Sequence, residues 1–154
     1  MSESVWDYPR PPRVEPTSRR IRVVLDGVVI VDTLDALRVL ETSLPPSYYV
    51  AREQVLEGSL ELAGGPTTIC EWKGVATYFD VVVSGTRAVR AAWSYEHPHP
   101  AFEAIRDAVA FYPSAVEAFV DDDLVQAQEG RFYGGWITSD LIGPFKDAPG
   151  TAGW

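Results

Sequence analysis

Cys70, Glu71, Trp72 and Lys73 stand together in the run CEWKG, which closes on Gly74. A thiol, a carboxylate, an indole and an amine so close together could serve nucleophilic or acid–base chemistry. A lysine driven into an apolar face gives up its proton more readily and can act as base or nucleophile. Lys73 is therefore a candidate catalytic residue, with Glu41 as a candidate acid partner. The alternative is a lysine at a sheet rim, paired with Glu41 or Glu71. Cys70 needs a lowered thiol pKa and a base within reach before it can attack a substrate. His97 and His99 flank Pro98 in EHPHP, and with Cys70 they would supply three ligands to zinc. A cysteine in such a strand is more often a small buried hydrophobe, so no metal and no cofactor is assigned.

A second group of residues points to binding rather than turnover. Tyr48, Tyr49, Trp72, Tyr78, Trp93, Tyr95 and Trp136 recur through the chain, and buried tyrosine hydroxyls and indoles need partners. A pocket walled by these rings, with Arg38, Glu41 and Lys73 at its floor, would suit a small planar or cyclic ligand. Arg38 would hold a carboxylate or phosphate with two donors, Glu41 would accept from a ring nitrogen, and Lys73 would neutralise charge. The same three residues could equally form an internal ion-pair network that sets the register of a sheet. Asp121, Asp122 and Asp123 resemble a magnesium site only in composition. They fall where a hairpin turn is expected, and Gly64-Gly65 precede Pro66 instead of opening a helix.

The elements that must position these groups are mostly strands. RIRVVLDGVVIVDT holds two β-branched runs around Asp26-Gly27, a pair suited to a tight hairpin. LDALRVLETS is ambiguous between helix and strand, and alternation favours a strand from Leu37 to Glu41. TTICEWKGVATYFDVVVSG reads as one long strand that returns through Ser84-Gly85. In it Cys70 and Trp72 share one face, while Glu71 and Lys73 share the other with Val75 and Phe79. A bulge at Gly74 would change that phase. PAFEAIRDAV predicts one short helix over residues 100–109, begun by Pro100 and stopped before Pro113. VEAFVDDDLVQA is a further hairpin.

A chain of 154 residues with 46% hydrophobic residues can bury one substantial core. The fold class expected is mainly β with a minor helical part, a compact antiparallel domain. Residues 1–18 form an extended Pro-rich arm, residues 19–146 the β-rich domain, and residues 147–154 a loose tail. Trp6 and Tyr8 would lay the arm along the domain or dock it on a second copy in a homo-oligomer. The net charge of −9 disfavours nucleic acid and anionic lipid. MSESVWDYPRPP has no basic stretch followed by an apolar run, and no segment reaches the ~18 apolar residues of a membrane span. A soluble, cytoplasmic protein is expected.

Five segments in order, ESVWDYPRPPR, LRVLETSLPPSYYV, CEWKGVATYFDV, AAWSYEHPHPAFEAIRDAVAFYP and FYGGWIT, resemble the bacterial domain of unknown function 427 family. The resemblance runs across nearly the whole chain. It implies a compact, mostly antiparallel β domain akin to the β-tent folds, in which two sheets meet at an angle around a pocket. Many β-tent proteins bind zinc through paired cysteine motifs, and the single cysteine here does not carry that property over. The family's nucleotidyltransferase-like label implies an enzyme using Lys73 and Arg38 on phosphate. The leading reading is nevertheless a small-molecule-binding β domain whose ligand the sequence does not identify. The nucleotide-acting enzyme and a non-catalytic interaction module stand as alternatives.

Overall fold

The computed structural model describes residues 2–70, 73–128, 134–143 and 145, and of Cys70 the backbone. The chain is mainly β. Its strands are β1 (Glu3–Ser4), β2 (Arg13–Thr17), β3 (Ile21–Leu25), β4 (Val28–Thr33), β5 (Ala36–Leu40), β6 (Ser47–Val50), β7 (Leu60–Leu62) and β8 (Thr68–Cys70). They continue with β9 (Gly74–Val83), β10 (Thr86–Ser94), β11 (Val109–Phe111), β12 (Glu117–Val120), β13 (Asp123–Leu124), β14 (Gln126–Ala127), β15 (Trp136–Ile137) and β16 (Leu141–Ile142).

Turn chemistry explains the hairpins. Asp26 and Gly27 take φ of 51° and 76°, and Ser84 and Gly85 take 45° and 82°, the left-handed pairs that match the twist of adjoining strands. They join β3 to β4 and β9 to β10. Asp121, at φ 55°, turns β12 into β13. The β-branched runs between these turns pair into two main sheets. The larger runs β2-β5-β6-β11-β10-β9-β7, with β8 also on β9, and the smaller runs β13-β12-β3-β4.

Ile21, Val23, Val31 and Ala118 of the smaller sheet join Val50, Val81, Ala92 and Phe111 of the larger in one buried core. The opposite face of the larger sheet carries a second cluster, with Val39, Tyr49, Trp93 and Tyr95 covered by Phe102 and Ile105. Alternation along β9 sends Phe79, Val81 and Val83 to the first core and Ala76 and Tyr78 to the second, as expected from its sequence.

Two expectations need correction. TTICEWKGVATYFDVVVSG is not one strand: Cys70 pairs with Gly74, Ile69 with Val75 and Thr68 with Ala76, so the chain doubles back within CEWKG. The shared faces inferred for an unbroken strand therefore do not apply. Gly74 stands at φ 112°, and a Cβ there would approach the His97 carbonyl oxygen to 3.3 Å. The helix of residues 100–109 is a pair of 3-10 turns, Pro100–Ile105, interrupted at Phe102. Ten residues are too few to hold an α-helix without strong packing. Here Asp107 N–H donates to the Tyr95 carbonyl and Val109 already enters β11, which pulls the segment back to the sheet.

The first residues of the chain pack on the same domain. Val5 and Tyr8 are buried with Leu40, β1 runs parallel to β16, and β2 forms the edge of the larger sheet beside β5. Trp6 is half exposed. Residues 147–154, read as a tail, lie outside the described residues. No helix among the described residues is long and apolar enough to cross a membrane.

Candidate functional site

The second face of the larger sheet assembles most of the rings read from the sequence. Register places Trp93 beside Tyr78 and Ala110, and puts Tyr49 on β6 opposite Leu37. Trp93 donates its indole N–H to the Tyr49 hydroxyl at 3.1 Å, with the two rings edge to face. Tyr49 continues to Tyr95 at 6.5 Å between centroids, and Trp93 to Tyr112 at 4.5 Å. Tyr112 stacks nearly parallel on Tyr78. Burial and the neighbouring Tyr78 hydroxyl push the Tyr112 phenol well above its ordinary range, so it stays protonated. Tyr49, Trp93 and Tyr95 are buried, while Tyr78 and Tyr112 are half-buried and reach the surface. Gly134 closes over this band: a Cβ there would overlap the Trp93 indole, so the close approach needs glycine.

Lys73 meets one end of the band. Its carbonyl accepts from the His99 N–H at 3.0 Å, which ties the CEWKG reversal to the EHPHP loop. Its Nζ stands 6.0 Å from the Tyr95 ring centroid, within range of a cation–π contact. His99 spends its Nδ1 as acceptor for Ala101 N–H, capping the 3-10 turns. Trp72, Glu71 and the Cys70 side chain lie outside the described residues.

The charged trio is not brought together. Arg38 belongs to the opposite face of the sheet, in register with Tyr48 and Glu15. It donates Nη1 and Nη2 to the two Glu3 carboxylate oxygens, each at 3.0 Å, and Nε to Glu15 at 2.7 Å. Tyr8 donates its hydroxyl to Glu3 at 2.5 Å. Arg38 thus fastens the first residues to the domain, through carboxylates other than the Glu41 of the expected trio. Glu3 and Glu15 lie too far along the chain from Arg38 for any local pattern to show the pairing. Glu41 stands just beyond β5, where its carbonyl accepts from Leu44 N–H. Tyr48 and Trp136 also leave the band for the first core. They pack ring on ring at 4.9 Å, and Trp136 donates its indole N–H to the Phe111 carbonyl.

Arg90 was not singled out in the sequence, yet it holds the other end of the band. It stands at φ 51° in an irregularity of β10 between Ala88 and Ala92. Its guanidinium lies 4.2 Å from the Tyr78 centroid and donates to the carbonyls of Gly64 and Pro66. Asp80 supports that backbone, accepting from Arg90 N–H at 2.8 Å and from Arg87 at 2.7 Å. The Arg90 N–H and Arg87 hold the Asp80 carboxyl below the usual aspartate range. Removal of the carboxylate in Asp80→Ala orphans a backbone donor and is expected to cost about 2 kcal/mol, read as a lower urea midpoint at unchanged slope. The signal for this device is positional: two arginines within a strand whose partner strand carries one buried aspartate.

The acids of the DDD run are occupied in the turn. Asp121 accepts from Arg20 N–H and Arg19 Nε, Asp122 pairs with Arg22, and Asp123 accepts from Ser139. Among the described residues no three His, Cys, Asp or Glu side chains are grouped to hold a metal ion.

These features define a mainly antiparallel β domain of two packed sheets with an aromatic band on its outer face. A family model described as Domain of unknown function (DUF427) matches residues 13–122, more than two thirds of the chain, and the chain belongs to that family. The matched span includes β2 through β12, and with them Lys73 and every described ring of the band. No curated protein matches the chain.

Proposed function

We propose that the chain is a binding domain for a small planar or cyclic molecule, taken up where the aromatic band meets Lys73. The observation that carries this reading is the Lys73 ammonium facing the Tyr95 ring at 6.0 Å, at the end of a continuous run of aromatic side chains. The half-buried Tyr78 and Tyr112 bring ring edges of the band to the surface, the Tyr78 hydroxyl being held by Thr68 at 2.6 Å, and the Lys73 cation suits a ligand with partial or full negative charge. Arg38 and Glu41 take no part in this site.

A thermal-shift screen of wild type and Lys73→Ala against nucleobases, nucleotides, cyclic imides and small carboxylates tests the reading. A ligand at about a hundred times its Kd adds ~2.7 kcal/mol, which raises the melting temperature of a domain this size by roughly 5–10 °C. That rise is expected in wild type and is expected to be lost in Lys73→Ala, whose own melting temperature changes little. Shifts that survive intact in Lys73→Ala would remove Lys73 from the site, and a screen without any shift would sink the reading.

A further inference from the structure

Arg52 stands on the sandwich side of the larger sheet, away from Lys73. Arg19, Arg20, Arg38 and Arg87 each pair with carboxylates, whereas Arg10, Arg52 and Arg90 form no ion pair among the described residues; Arg10 and Arg90 spend their guanidinium groups on backbone carbonyls, and Arg52 does not. It lies on the short turn Arg52–Gln54 after β6 and donates Nη2 to the Ser94 hydroxyl at 2.9 Å. Its guanidinium is held over the Phe79 ring at 5.0 Å. Its Nε is cut off from solvent and has no acceptor, and the same is true of a donor for Gln54 Oε1. A guanidinium preset by stacking and one hydroxyl, with donors left over, is an anion receptor.

The surroundings select the anion. Thr77 and Ser94 face each other across β9 and β10, and Leu62 lies directly opposite Phe79. Leu62 is 73% exposed, and Ile69 and Val75, paired at the far end of β9, are also exposed on that face. Beyond the smaller sheet, then, the strand face is an open apolar shelf with the Arg52 guanidinium at its inner edge. A net charge of −9 opposes a phosphate dianion more than a monoanion. We infer that Arg52, Ser94 and Phe79 form a binding site for a monocarboxylate with an apolar body, the carboxylate on Arg52 and the body along Leu62. This site is independent of the Lys73 band, because the two lie on opposite faces of the same sheet.

The test is titration of the whole chain with hexanoate, benzoate and inorganic phosphate, followed by amide and arginine side-chain NMR signals. Saturable millimolar shifts at the Arg52 Nε–H, Ser94 and Leu62 signals are expected with the two carboxylates and not with phosphate. Arg52→Gln is expected to weaken binding about tenfold or more, the factor one charge-assisted hydrogen bond carries. Leu62→Glu, at an exposed position that bears no core packing, sets a competing carboxylate beside the guanidinium and should block the site even if Arg52→Gln folds poorly. Lys73→Ala should leave these shifts intact, which separates failure here from failure of the band. Absence of saturable shifts in wild type, or binding retained in Leu62→Glu, overturns the inference. Phosphate binding as well as the carboxylates would overturn the assigned ligand class.

Discussion

Trp136→Ala should be the most destabilising single change in this protein, lowering the unfolding free energy by about 3–5 kcal/mol. The side chain is 1% exposed and fills the first core against Tyr48. Its removal opens a cavity that the two sheets, each tied by its own hydrogen bonds, close only in part. It also strips the Phe111 carbonyl of the indole donor that reaches it at 2.9 Å. A domain holds roughly 5–15 kcal/mol in all, so the loss is a large share of the total, and the melting temperature should fall by about 10 °C or more. Trp136→Phe separates the two contributions. It keeps ring packing against Tyr48 and loses the hydrogen bond, and should cost about 1–2 kcal/mol. Equal losses in the two variants, measured by urea titration, would show that packing is not the dominant contribution.

Arg38→Ala should have the second largest effect, near 2–3 kcal/mol, because it leaves Glu3 and Glu15 facing each other without their shared cation. Both carboxylates are partly exposed, and solvent screening keeps the figure below that of a fully buried pair. The pairing also has a pH signature. The Arg38 guanidinium, against the opposing effect of burial and with help from the Tyr8 hydroxyl, holds the Glu3 carboxyl below its ordinary value of 4.5. A carboxyl lowered in the folded state stabilises fully above the unfolded value, and that contribution fades as pH falls through the folded value. The urea midpoint of wild type should therefore decline from pH 5 downward. Its difference from Arg38→Ala should shrink over the same window. A difference independent of pH between 5 and 3 would assign the loss to packing of the arginine stem instead.

The local parts of the fold were legible because local chemistry decides them. Asp26-Gly27, Ser84-Gly85 and the Asp121 turn carry residues that tolerate positive φ, and alternation in LDALRVL placed a strand within one residue of β5. The reversal inside CEWKG was missed because β-branched residues run up to it on both sides and its turn residues are not those that usually mark a hairpin. What separates Arg38 from Lys73 is which face of a sheet each occupies. That follows from pairings between strands far apart in sequence, and no single segment records it. The same holds for Arg52, whose isolation from carboxylates exists only once Phe79 and Ser94 are brought to it. The aromatic band was legible as composition, and its division between two faces was not: Tyr48 and Tyr49 are neighbours in sequence and belong to different cores.

The parallel pairing of β1 with β16 sets Glu3 beside Leu141, so the first described strand waits for the last. During synthesis the hairpins of the two main sheets can close while the chain is still growing, and Glu3 can already meet Arg38 and Tyr8, but β1 has no strand to pair with until residue 141 has left the ribosome. Contacts of such long sequence separation form slowly and late. The β1–β16 pairing consequently closes on a domain that is already assembled, and its loss should change the unfolding rate far more than the rate of folding.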